Sequence, residues 1–142
     1  MDDIAEKCGM SKKTIYKYFE SKNDLLDTVI KLQAEELKEY INEIATNSES
    51  SLEELYRFFK YVNEISHTVS PVFSKELKKY YPNNYIELFN YKNEIVVPFV
   101  IKNIKKGIEE GLYKSDLNAE EICESFDAIS KIVFTDGFSF NA

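Results

Sequence analysis

Apolar residues recur along this chain at helical spacing. Leu25, Leu26, Val29, Ile30, Leu37, Ile41 and Ile44 fall on one face of an ideal helix and predict one from Lys22 to about Thr46. Leu52, Leu55, Phe59, Val62 and Val69 predict a second in the same way. Ile122, Phe126, Ile129 and Val133, stepping by +4, +3 and +4, predict the last. Between them lie a short helix over 71–81 and a long one after Asn84 that ends at Gly111. Pro98 sits inside the long helix, lacks a backbone N–H, and predicts a kink near 95–97. Strand-like alternation and internal repeats are missing from the pattern, so the expected fold class is all-α.

Start signals agree with these elements. Ser21 with Asp24, Ser50 with Glu53, Asn84 with Glu87 and Asn118 with Glu121 each place a capping side chain three residues before a carboxylate. Ser70 precedes Pro71, a proline suited to the first helical position. Two shorter helices come before all of these, joined by Gly9 where a left-handed turn residue is needed. Ile4, Ala5 and Cys8 form the expected inner face of the first, and Met10 fills the turn. Ser11 caps the second, whose Ile15 and Phe19 point inward at +4. Lys12, Lys13 and Thr14 then project from its first turn, and Tyr16, Lys17 and Tyr18 face outward. That is the pattern of a helix-turn-helix that lays its second helix in the DNA major groove.

Charge supports this placement. The chain is acidic overall, with a formal net charge of −7. Residues 11–22 nevertheless hold four lysines against one glutamate, and residues 1–22 are net positive. A basic tip on an acidic body is attracted to phosphate only through the tip. Glu36, Glu39, Glu43, Glu109, Glu110, Glu120, Glu121 and Glu124 are expected on solvated helix faces. Cys8 and Cys123 lack metal-ligand spacing and His67 is the only histidine, which argues against a metal site, a cofactor or a catalytic triad. The expectation is therefore a non-enzyme. No apolar run approaches a membrane span and the start lacks the pattern of a secretory leader, so a cytoplasmic protein is expected.

The run DIAEKCGMSKKTIYKYFESKNDLLDTVI resembles the DNA-binding segment of tetracycline-repressor (TetR) family regulators. Gly9, Ser11, Thr14, Tyr16, Tyr18, Phe19, Ser21 and Lys22 match the family's G-x-S-x-x-T-x-Y-x-Y/H-F-x-S/N-K pattern in register. Residues 107–122 more weakly resemble the family's link into its first dimer-forming helix. The resemblance implies that Thr14 and Tyr16 touch phosphate or bases, that Lys12, Lys13 and Lys17 reach bases or flanking phosphates, and that Tyr18 and Lys22 clamp the backbone. It also implies a head helix before Asp3 and a long helix after Phe134. The expectation is thus a head over residues 1–28 lacking its first helix and a body over 29–142 lacking its last.

Twenty of the 142 residues are Phe or Tyr, mostly in the body. Phe58, Tyr61, Phe89, Tyr91 and Phe99, with polar Glu64 and His67, are the expected lining of a pocket for a small apolar or amphipathic effector. Ile122, Phe126, Ile129 and Val133 are the expected homodimer surface. The resulting reading is a ligand-responsive repressor on a palindromic operator. The alternative is a helical ligand-binding or dimerising module without DNA binding.

Overall fold

The computed structural model describes residues 1–68 and 71–135, with side chains for all of these but 66, 71 and 129–135. Seven helices account for nearly all of the described residues, with no strand among them: α1 (Asp2–Cys8), α2 (Lys12–Tyr18), α3 (Lys22–Asn47), α4 (Ser51–Thr68), α5 (Pro71–Tyr80), α6 (Pro82–Glu109) and α7 (Ala119–Thr135). The fold is all-α. The α1 helix packs on α2, while α3, α4, α5 and α7 all pack against α6.

Local chemistry explains the boundaries. Ser21 Oγ accepts from the Asp24 amide at 3.1 Å, and Ser50 Oγ from the Glu53 amide at 3.2 Å. In both cases the carboxylate reaches back to the amide just before the cap: Asp24 to Glu20, Glu53 to Glu49. Asn118 Oδ1 accepts from the amides of Glu120 and Glu121 and opens α7. Asn84 is a correction, because it does not cap a helix. Pro82 already occupies the first turn of α6, and Asn84 is buried inside it, donating its amide to the Asp27 carboxylate of α3. The α6 helix runs through Pro98 without interruption in its assignment and stops at Glu109, just before left-handed Gly111.

The core is formed by Ile41, Ile44, Phe58, Val96, Phe99, Val100, Ile104, Ala119 and Cys123, with Leu37, Val62, Ile122 and Phe126 packed on its edge. The α4 helix enters this core on a face the apolar pattern indicates only in part, at Val62. Leu52 is 56% exposed and Phe59 48%, whereas Ser51, Glu54 and Phe58 are buried. The inward face of α4 is thus partly polar, because it docks on polar groups of α6. Asn103 donates to the Ser51 carbonyl at 2.8 Å and to Glu54 at 3.1 Å. Lys106 pairs with Glu54 at 2.6 Å, and the Tyr113 hydroxyl donates to Asn103 at 2.9 Å. Ser51 donates from both its hydroxyl and its amide to Glu110. Glu110, on an exposed face as expected, also caps the start of α4. Tyr113 reaches Asn103 by lying flat on Gly107, where an added Cβ would come within 2.1 Å of its ring.

Two titrations follow from this packing. The bonds from Ser51 hold the Glu110 carboxyl below its ordinary value. A carboxylate depressed in the folded state adds stability above its unfolded value and loses it as pH falls, so this contact weakens in acid. Lys92 acts in the same direction at higher pH. It lies between α6 and α7, its ammonium 5.7 Å from the Phe89 ring centre, and burial pushes its pKa down to about 8 while Asp127 opposes the shift. A base depressed in the folded state penalises folding while protonated, so stability rises once pH passes about 8 and continues toward 10.5. We expect urea denaturation to show a gain of about 1–2 kcal/mol between pH 7 and 9.5. The variant Lys92→Met should lack most of it.

Candidate nucleic-acid interface

The head is built on two tight features. Gly9 adopts φ 65°, and the amides of Gly9 and Met10 close the end of α1 onto the carbonyls of Glu6 and Ala5. Only glycine takes this conformation without strain, and it sets the turn between the two helices. Ser11 then caps α2, its Oγ accepting from the Thr14 amide at 3.2 Å and lying 2.9 Å from the Thr14 hydroxyl. Ala5 and Ile15 are the buried residues of α1 and α2. Cys8, expected on the inner face, is exposed, and Met10 is 47% exposed rather than filling the turn. Three residues, less than one turn, leave Cys8 about 60° around the axis from Ala5 and at the exposed last position of α1.

All seven residues singled out for DNA contact lie on the solvent side of this head. Lys12, Lys13, Thr14, Tyr16, Lys17 and Tyr18 are exposed along α2, and Lys22 is exposed at the first turn of α3. Ile15 is the one buried residue of α2, and Lys13 and Lys17, each about 160° from it around the helix axis, point most directly away from the head. Three of the lysines already have company. Lys12 pairs with Asp2 of α1 at 2.7 Å, Lys17 lies 5.8 Å from the Tyr18 ring centre, and Lys22 lies 5.4 Å from that of Tyr81. The last contact ties the head to the corner between α5 and α6.

The residues expected to line an effector pocket are dispersed. Phe58, 1% exposed, and Phe99 pack together with ring centres 5.1 Å apart and are core residues. Tyr61 stacks on Tyr40 at 4.1 Å, and burial raises its phenol pKa. Phe89 packs on Tyr85 at 4.7 Å, Tyr91 is half-buried, and Glu64 and His67 are exposed. None of the seven lines either described cavity. One, of about 10 Å³, lies between α6 and α7 at Lys92, Cys123, Phe126 and Asp127 and has room for about one water. The other is an open cleft of about 400 Å³ between the start of α3 and the α5–α6 corner. It is lined by Asn23, Asp27, Tyr80, Tyr81, Pro82, Asn83, Asn84 and Glu87, close to Lys22. A cleft this polar had no signature in the sequence, since its two sides lie more than fifty residues apart.

Of the expected dimer residues, Ile122 and Phe126 are half-buried, and Phe126 packs on Phe58 and Phe59. The side chains of Ile129 and Val133 lie outside the described residues. No cluster of three or more metal-binding side chains occurs among the described residues. No described helix is long and apolar enough to cross a membrane.

Residues 1–29 match the family model described as "Bacterial regulatory proteins, tetR family". This span covers α1, the glycine turn, α2 and the first turns of α3. The match supports a DNA-binding transcriptional regulator of the tetR type. No curated protein and no solved structure matches the chain.

Proposed function

We propose that this protein is a ligand-responsive transcriptional repressor that reads DNA with α2. The observation carrying the proposal is the exposed row of Lys12, Lys13, Thr14, Tyr16, Lys17 and Tyr18 around the single buried Ile15, followed by exposed Lys22. In this reading Thr14 and Tyr16 face the groove, Lys12, Lys13 and Lys17 reach bases or flanking phosphates, and Tyr18 and Lys22 hold the backbone. Two copies, joined through the Ile122–Val133 face of α7, place two such helices in successive major grooves of a palindromic operator.

A small amphipathic effector releases the operator by changing how the heads are held. The cleft beside Lys22 supports this part of the reading, because α3 carries both the proposed backbone clamp and one wall of the cleft. Its polar lining favours an effector with several hydrogen-bonding groups over a wholly apolar one. Selection of bound duplexes from a random-sequence pool tests the proposal. A near-palindromic site with half-sites about one helical turn apart is expected. Recovery of no enriched sequence contradicts it.

A further inference from the structure

The lysine at the start of the recognition helix is held by an acid. Lys12 Nζ lies 2.7 Å from Asp2 Oδ1, and both groups are at the surface, with 51% and 79% of their side-chain area exposed. The pair spans from the first residue of α1 to the first residue of α2. The neighbouring Asp3, on the same turn of α1, makes no ion pair with Lys12 among the described residues. The remaining basic side chains of this face lie against rings or in solvent, so Asp2 is the one carboxylate bonded to it among the described residues.

We propose that Asp2 is an internal phosphate substitute that attenuates DNA binding by occupying Lys12. The inference rests on the DNA-binding reading given above. For Lys12 to meet a DNA phosphate, the bond to Asp2 must break or be shared, and the carboxylate is then left close to a second anion. Both effects lower affinity, and both act on phosphate contact, which is independent of sequence. Asp2 therefore lowers affinity for operator and bulk DNA by a similar factor, and leaves the contrast between them to the base contacts. Hydrogen bonding between them lowers the Asp2 carboxyl pKa and raises that of the Lys12 ammonium, so both stay charged across the neutral range, as exposed groups of these types do.

The test uses fluorescence polarisation with a labelled duplex of random sequence, across a range of sodium chloride concentrations. Asp2→Asn should bind about two- to fivefold more tightly than the parent at low salt, the range set by an exposed ion pair. The magnitude of its salt slope should rise by up to about 0.9, the equivalent of one further neutralised phosphate. Asp3→Asn, which removes the same charge from the same turn, should give clearly less. In a Lys12→Gln background, Asp2→Asn should bring a clearly smaller gain, limited to relief of the carboxylate's repulsion of phosphate and no larger than that of Asp3→Asn. An equal gain from Asp3→Asn in the parent, or a gain undiminished by Lys12→Gln, overturns the proposal while leaving the DNA-binding reading intact. Duplex binding by the parent with no change in Asp2→Asn does the same. Absence of binding by the parent and by Asp2→Asn alike overturns both. Circular dichroism of each variant checks that the head remains helical.

Discussion

Replacing Glu54 with alanine is expected to cost the body about 2–4 kcal/mol, read as the shift in its urea midpoint. Glu54 is only 5% exposed, and its two oxygens hold Lys106 at 2.6 Å and Asn103 at 3.1 Å. Asn103 is itself 1% exposed and joins Glu54 to the Ser51 carbonyl and the Tyr113 hydroxyl. Truncating the acid leaves a buried amide short of an acceptor and a cation short of its counter-ion. Breaking a fully buried ion pair costs about 3–5 kcal/mol. The figure here is lower because about a third of the Lys106 side chain remains exposed and can regain water. Glu54→Gln keeps an acceptor for Asn103 and should cost about half as much. Glu53→Ala is the internal control. Its carboxylate pairs with Arg57 one turn away and accepts from the Glu49 amide, a partly solvated pair and a cap that together contribute about 1 kcal/mol. Equal losses for Glu53→Ala and Glu54→Ala would mean that the buried network contributes no more than a surface pair.

The second large effect concerns DNA. Tyr16→Ala and Lys22→Ala should each lower operator affinity about 10- to 100-fold, the usual range for losing a specific or backbone contact of 1–3 kcal/mol. Neither should unfold the protein. Tyr16 is 48% exposed and Lys22 lies on the surface, so their removal leaves no cavity in the core. The two variants should differ in kind. Lys22→Ala should flatten the salt dependence by about one phosphate and weaken binding to all duplexes. Tyr16→Ala should act more strongly on operator than on random sequence. Lys22 also carries a second role in this account. It lies 5.4 Å from the ring centre of Tyr81, which lines the open cleft, so under the proposed function it is the side chain that joins the cleft to the DNA-facing surface.

Local signals in the sequence indicated the helices well and their faces less well. Ser21, Ser50 and Asn118 cap helices as their spacing predicts, since a cap needs only a side chain and an amide three residues on. Asn84 carries the same spacing but is drawn into the seam with Asp27, because Pro82 can begin α6 without a side-chain cap. Leu52 and Phe59 were the natural core residues of α4 by hydropathy. The helix is instead rotated so that Ser51 and Glu54 meet Asn103, Lys106 and Glu110. That preference comes from partners 49–59 positions away, which no short window contains. Phe58 and Phe99 were expected to line a cavity for a related reason: a pair of aromatic side chains has the same composition whether it fills a core or borders a void. The α2 helix was the most legible part. Its turn glycine, serine cap and inward Ile15 are all encoded within ten residues.

The measurement that bears most directly on this account is the operator affinity of Tyr16→Ala and Lys22→Ala beside the parent protein, on the duplex recovered by selection and at one fixed salt concentration. The account predicts nanomolar-to-micromolar binding by the parent, a loss of at least about tenfold in each variant, and urea midpoints equal to that of the parent. Unchanged affinity in both variants would contradict the assignment of α2 and the start of α3 as the DNA-reading surface.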